Sequence, residues 1–204
     1  TSGVILVAKT QEAFLFFKNQ FKNHSVEKVY NAVVWGNFSD DKLEGVISKP
    51  IGRSASDFRK WSAEYGAKGE LREAVTEYKV LTQTHNAPAL ALRMLEIASS
   101  PLYIKRGKDK KGSENFSYLE VKPKTGRTHQ IRVHLKSISH PVVCDKLYAP
   151  NKVCDKKSCL GFDRLALHAV SIKLELPNHT HITIESSLPK EFENAKKFVE
   201  ITYP

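Results

Sequence analysis

Apolar and polar positions alternate in short bursts along most of this chain, and only a few windows keep a helical period. The run Val4-Ile5-Leu6-Val7-Ala8, inside Gly3 to Lys9, predicts a buried strand that opens with the first residues. Thr10 predicts the cap of a helix reaching about Lys22, with Phe14, Phe17 and Phe21 on one core-facing side at spacings of three and four. Val26 to Trp35 reads as a strand ending at Gly36, with Lys28, Tyr30, Ala32 and Val34 sharing one face. Lys49 to Gly69 has no clean period and predicts a long loop carrying Arg53, Arg59, Lys60 and Lys68.

Extended segments are predicted at Glu77–Gln83, Ala89–Ile97, Tyr118–Lys122, Leu165–Glu175 and Thr180–Ser186, with a closing helix over Lys190–Glu200. Between them, Tyr103 to Ser113 is a basic, glycine-containing stretch with the character of a hairpin tip or insertion, including Lys105, Arg106, Lys108, Lys110 and Lys111. Strands outnumber helices and are mostly hairpin-linked. The predicted class is therefore α+β, with a mixed but mostly antiparallel sheet in one domain.

Composition adds a partner class to this outline. The chain has 204 residues and a net charge of +10, enough length to bury a core and enough positive charge to favour a polyanion. Cys144, Cys154 and Cys159 form no disulfide-like framework, which suggests a reducing compartment, and their spacings contain no CxxC pair of the kind that builds a zinc site. No metal is expected. Val4 to Ala8 is too short for a signal peptide core or a membrane span, so no membrane is expected.

The chemistry concentrates in Lys122-Pro-Lys-Thr-Gly-Arg-Thr-His-Gln-Ile-Arg-Val-His-Leu135. A glycine turn delivers Arg127, and Thr128 predicts the cap of a helix running to about Ile138, whose N-terminus favours an anion. His129, Arg132 and Lys136 fall on one face, beside a buried stripe of Ile131, Leu135 and Ile138. Such a helix holds phosphate, holds a buried carboxylate, or simply carries a solvated basic face.

That segment resembles the signature of the RluA family of RNA pseudouridine synthases. The resemblance continues in order through Thr1-Ser2-Gly3, Lys28-Val-Tyr30-Asn-Ala-Val-Val-Trp-Gly36, Thr76-Glu-Tyr78, Ser139-His-Pro-Val-Val-Cys-Asp145 and Arg164-Leu-Ala-Leu-His-Ala169. It covers roughly residues 1 to 190, and departs at Cys144, where the family often has glycine, and in the length of the Lys105–Lys111 insertion.

The resemblance implies a pseudouridine synthase fold around an RNA-binding cleft. The implied reaction is isomerisation of uridine in ribosomal (large-subunit) or transfer RNA, with no cofactor. It implies that Tyr30 lies against the target base and serves in proton transfer, and that Arg132 pairs with the catalytic aspartate. Arg127, His129 and Gln130 would shape the cleft and hold RNA backbone, Leu167 would line the base pocket, and Arg53, Arg59 and Lys60 would clamp RNA.

The family's aspartate belongs to His-Arg-Leu-Asp before Thr-Ser-Gly, three positions ahead of Thr1. The chain is therefore expected to be a catalytic domain lacking its N-terminal part, binding RNA without turning it over. Asp145 is expected to fix a turn. The alternative is a non-catalytic RNA-binding module on the same scaffold. A monomer in the cytoplasm, or in an organelle, completes the expectation.

Overall fold

The structure is a computed structural model that describes residues 1–63, 66–84, 115–151 and 160–201. The Ala89–Ile97 strand, the Lys105–Lys111 insertion, Cys154 and Cys159 lie outside the described residues. The seven-stranded main sheet runs β1-β9-β2-β8-β7-β3, with β10 also paired to β9. Its strands are β1 (Ser2–Gly3), β2 (Glu27–Trp35), β3 (Glu44–Ser48), β7 (Val75–Gln83), β8 (Phe116–Pro123), β9 (Leu167–Glu175) and β10 (His181–Glu185). The β1–β9 pair is parallel and the other pairs are antiparallel, so the α+β, mostly antiparallel expectation holds.

Among the described residues the α-helices are α1 (Gln11–Lys22), α2 (Gln130–Ser137) and α3 (Lys190–Ile201). Opposite faces of the sheet are covered. On one face, α2 reaches β7 through Gln130 and His134, both bonded to Thr76. On the other, Phe192 of α3 packs edge-on against Tyr118 of β8. The main core includes Val33, Leu119, Leu135, Val142, Phe162 and Phe192, all fully buried at 0% exposure.

Two apolar runs behave differently from their patterns. Only Ser2–Gly3 of the opening segment pairs, and Ile5 and Val7 are 84% and 73% exposed, because from Ser171 onward that edge of β9 is taken by β10. Helix α1 is capped by Thr10 as expected, the Thr10 hydroxyl accepting from Ala13 N–H, yet none of its residues is buried and Phe14 and Phe21 face outward. Phe17 packs against the small cluster of Val26, Ile172 and Leu174.

The predicted long loop over 49–69 contains β4 (Ile51–Ser54), β5 (Trp61–Ser62) and the start of β6 (Ala67–Arg72), which form a three-stranded sheet in the order β5-β4-β6. It is anchored rather than loose, since Ile51 is fully buried in a cluster with Ala74, Val133 and Tyr148. Cys144 is buried and disulfide-bonded, which departs from the reduced cysteines expected from composition.

Candidate functional site

One cross-sheet row organises the site. Gly3 sits opposite Ala169, Ala169 opposite Tyr30, Tyr30 opposite Val121, and Val121 opposite Tyr78. The strand spacing places Tyr30 two strands, or roughly 10 Å, from Gly3. Glycine is required there. Its φ is +103°, and an added Cβ would lie 2.0 Å from the Ala169 carbonyl oxygen. The next row carries Ser2 opposite His168 and His168 opposite Asn31. Ser2 Oγ bonds His168 Nδ1 at 2.8 Å and accepts from Arg164 Nη1 at 2.8 Å, and Arg164 is itself held by Glu191.

Arg132 projects from α2 into the same region. The Arg164 and Arg132 charges both reach the Thr1 backbone nitrogen, so the first residue lies near both arginines. Tyr30 is half-buried against the main core, and burial raises its phenol above the ordinary value. At neutral pH it is a neutral hydroxyl.

Arg132 already holds a carboxylate within the chain. Its Nε and Nη2 donate to Asp145 Oδ2 and Oδ1, both at 2.7 Å, a planar two-bond geometry. Asp145 Oδ1 also accepts the Leu147 and Tyr148 N–H groups at 3.1 and 3.0 Å, which is the turn role its sequence suggested. Burial pushes the Asp145 carboxyl up, but the Arg132 bonds and the backbone donors outweigh it and leave the group below its usual value. Among the described residues, Arg132 Nη1 donates to none.

Helix α2 starts one residue later than the capping pattern predicts. Its first flanking residue is His129, in the left-handed region at φ 56°, and not Thr128. The helix start has no side-chain cap, and the Gln130 side chain instead fastens the preceding turn: its Oε1 accepts from Arg127 N–H and Thr125 Oγ1, and its Nε2 donates to Val75 O and Thr76 Oγ1. Gln130 is thus buried and internally committed, shaping the turn from inside. His129 Nδ1 lies 2.9 Å from the Tyr148 hydroxyl, which also accepts Trp61 N–H at 2.9 Å. Burial and the Arg132 charge lower the His129 pKa, keeping the imidazole neutral near pH 7.

The remaining predicted residues are scattered. Leu167 is packed in the main core at 4% exposure. Arg53 stands 4.8 Å over the Trp61 ring and donates to Phe58 O. Arg59 and Lys60 both turn back to Asp57. Arg127 donates through Nε to Glu73 O, and its terminal nitrogens donate to no described residue. The sequence reading missed Tyr148, over whose ring Arg132 stacks at 4.8 Å, and the Arg132–Asp145 pairing. An Asp followed two and three residues later by free N–H groups is a turn signal, but only the fold shows that the same carboxylate reaches α2. Among the described residues, no group of three or more metal-ligating side chains is placed to hold a metal ion, and no helix is long and apolar enough to cross a membrane.

Comparison with known proteins gives concordant results. The RNA pseudouridylate synthase family profile matches residues 1–137. The chain is 29% identical over 205 residues to ribosomal large subunit pseudouridine synthase D of Zymomonas mobilis, covering 99% of this chain and 54% of that protein. It is 30% identical over 192 residues to the Borreliella burgdorferi protein of the same name, covering 94% of this chain and 47% of that protein. The chain thus spans about half the length of the curated relatives it matches. Human RNA pseudouridylate synthase domain containing 1 shares the fold with a TM-score of 0.64 at 24% identity, over 90% of this chain and 63% of that one.

Proposed function

The chain belongs to the RNA pseudouridylate synthase family, and from that premise we propose that the protein isomerises uridine to pseudouridine in ribosomal or transfer RNA. The observation that carries this reading is the cross-sheet row Gly3–Ala169–Tyr30, which puts Tyr30 level with the strand entered at Thr1, one strand between them, while the Arg132 and Arg164 charges reach Thr1.

Isomerisation breaks the uridine glycosidic bond, turns the base over and joins the sugar to a ring carbon. The hydrogen leaving that carbon is balanced by one gained at the released nitrogen. The reaction therefore needs positioned acids and bases rather than an oxidant or an energy source. Tyr30, a neutral hydroxyl, relays that proton. A carboxylate held in the field of Arg132 and Arg164 acts on the nucleoside, and that field keeps it ionised. Arg132 holds Asp145 with one edge and keeps Nη1 for that second anion. Flipping the nucleotide out of its stack costs roughly a few kcal/mol, which basic contacts to the flanking phosphates offset.

The test uses the gene's full product with RNA from a strain lacking the gene. Treated RNA should gain pseudouridine at one or a few positions, read by mass spectrometry and by reverse-transcription mapping. RNA that binds but gains none would favour the non-catalytic reading, and no binding at low salt would overturn both.

A further inference from the structure

A cavity of ≈ 290 Å³ opens between the end of α1 and the Gly126 turn, lined by Phe21, Lys22, His24, Lys28, Gly126 and Arg127. No aspartate or glutamate lines it, while Lys22, His24, Lys28 and Arg127 all do. Lys28 is the informative member. It is half-buried, its Nζ lies 3.4 Å from Thr125 O and 5.9 Å from the Phe21 ring centre, and no described carboxylate pairs with it. A partly desolvated ammonium without a counter-ion is costly, and an anion in the adjoining cavity relieves that cost.

Two further features suit an anion here. The α1 C-terminus would normally repel one, but its carbonyls are already occupied: Asn19 O accepts the Asn23 N–H, Phe21 O the His24 N–H, and Gln20 O the Ser25 N–H. A Cβ added at Gly126 would meet nothing within 4 Å, so the mouth is open above the turn. Arg127 faces it with terminal nitrogens that no described residue uses.

We propose that this pocket seats an RNA backbone phosphate beside the target nucleotide, held by Lys22, Lys28 and Arg127. The placement relative to Tyr30 supports this. Lys28 and Tyr30 are two residues apart on β2, hence on one face and roughly 7 Å apart. The register shift between Val29 and Tyr30 adds its extra residue, Val170, on β9, so β2 keeps its alternation. The inference rests on the RNA-modifying reading above.

The test is the salt dependence of RNA affinity, measured by fluorescence anisotropy on a labelled uridine-containing hairpin, with the full-length protein. Lys22→Gln and Lys28→Met should each reduce the slope of log Kd against log salt by about 0.7–0.9, one phosphate contact, and Lys28→Arg should restore it. Lys190→Gln, on the exposed start of α3, should leave the slope unchanged. Lys22 is exposed, so its variant reads binding even if Lys28→Met melts early by circular dichroism. Wild-type binding with unchanged slopes in the pocket variants, or an equal drop in Lys190→Gln, would overturn the pocket while leaving the functional reading intact. Failure of the wild-type protein to bind RNA overturns the functional reading and the pocket with it.

Discussion

Arg132 and Asp145 form a two-bond ion pair in which the arginine side chain is 15% exposed and the aspartate fully buried. Its position on α2 and in the turn after Val143 ties the helix to the segment that follows it. Removing one partner strands the other's charge, which costs about 3–5 kcal/mol for a buried pair. Arg132→Met should lower stability by that amount in urea denaturation. The sign with pH follows from the depressed Asp145 carboxyl: its contribution is present above the ordinary carboxyl range and is lost as pH falls through the folded value. Wild-type protein should therefore converge on the variant below about pH 4. Parallel stability curves across that range would show that the pair contributes little.

Tyr30 is half-buried among core residues, and its ring does not depend on its hydroxyl for packing. Tyr30→Phe should keep the melting temperature within a few degrees and lower turnover by about 10²–10⁴-fold, the range for a lost proton-transfer group. Because burial raises the phenol pKa, the protonated form persists through neutral pH. The wild-type rate should show no basic limb from Tyr30 between pH 7 and 9. Activity within a few-fold of wild type in the Phe variant would remove Tyr30 from the chemistry.

The parts of this fold that were legible in the sequence are those where one residue pattern maps to one environment. The Glu27–Trp35 and Val75–Gln83 strands, the Thr10 cap and the Ile131/Leu135 stripe are of this kind. Phe14 and Phe21 misled because helical spacing marks an apolar face without saying whether anything covers it. Residues 49–69 looked like loop because a three-stranded sheet that buries little beyond Ile51 and half-buried Trp61 leaves no period to read. At the site, the family's motif located Arg132 but not Asp145, since their meeting depends on how residues 138–145 fold back over α2.

His134 is fully buried, with Nδ1 2.8 Å from Thr76 Oγ1 and Nε2 2.9 Å from Lys49 O. A carbonyl can only accept, so Nε2 carries the proton and Nδ1 accepts from the threonine hydroxyl, a neutral tautomer. Burial lowers the pKa of His134, and likewise of His129, His140 and His168. Below pH 6.5 the unfolded chain takes up protons that the folded protein refuses, so stability falls as pH drops from that value toward the folded pKa values. The melting temperature should decline between pH 7 and 5. His134→Gln, which cannot titrate, should be less stable at pH 7 but show a shallower decline; an identical slope would exclude His134 as a source.

Tyr148 joins two units that share no strand pairing. Its hydroxyl accepts the Trp61 N–H of β5 and meets His129 at the start of α2, while its ring supports Arg132. The neutral His129 is most simply served when the hydroxyl proton points to Nδ1, leaving the oxygen lone pairs for Trp61. Tyr148→Phe keeps the ring and removes both bonds. The Trp61 N–H, in a half-buried position, then lacks its partner, a loss of about 1–3 kcal/mol. The Arg132–Asp145 pair should survive because the aromatic surface is unchanged. Hydrogen exchange should accordingly quicken at Trp61 and along β4 and β5, with little change in β2 and β8. A uniform acceleration across both sheets would mean that the hydroxyl supports global stability instead, and that the small sheet is held by Ile51 alone.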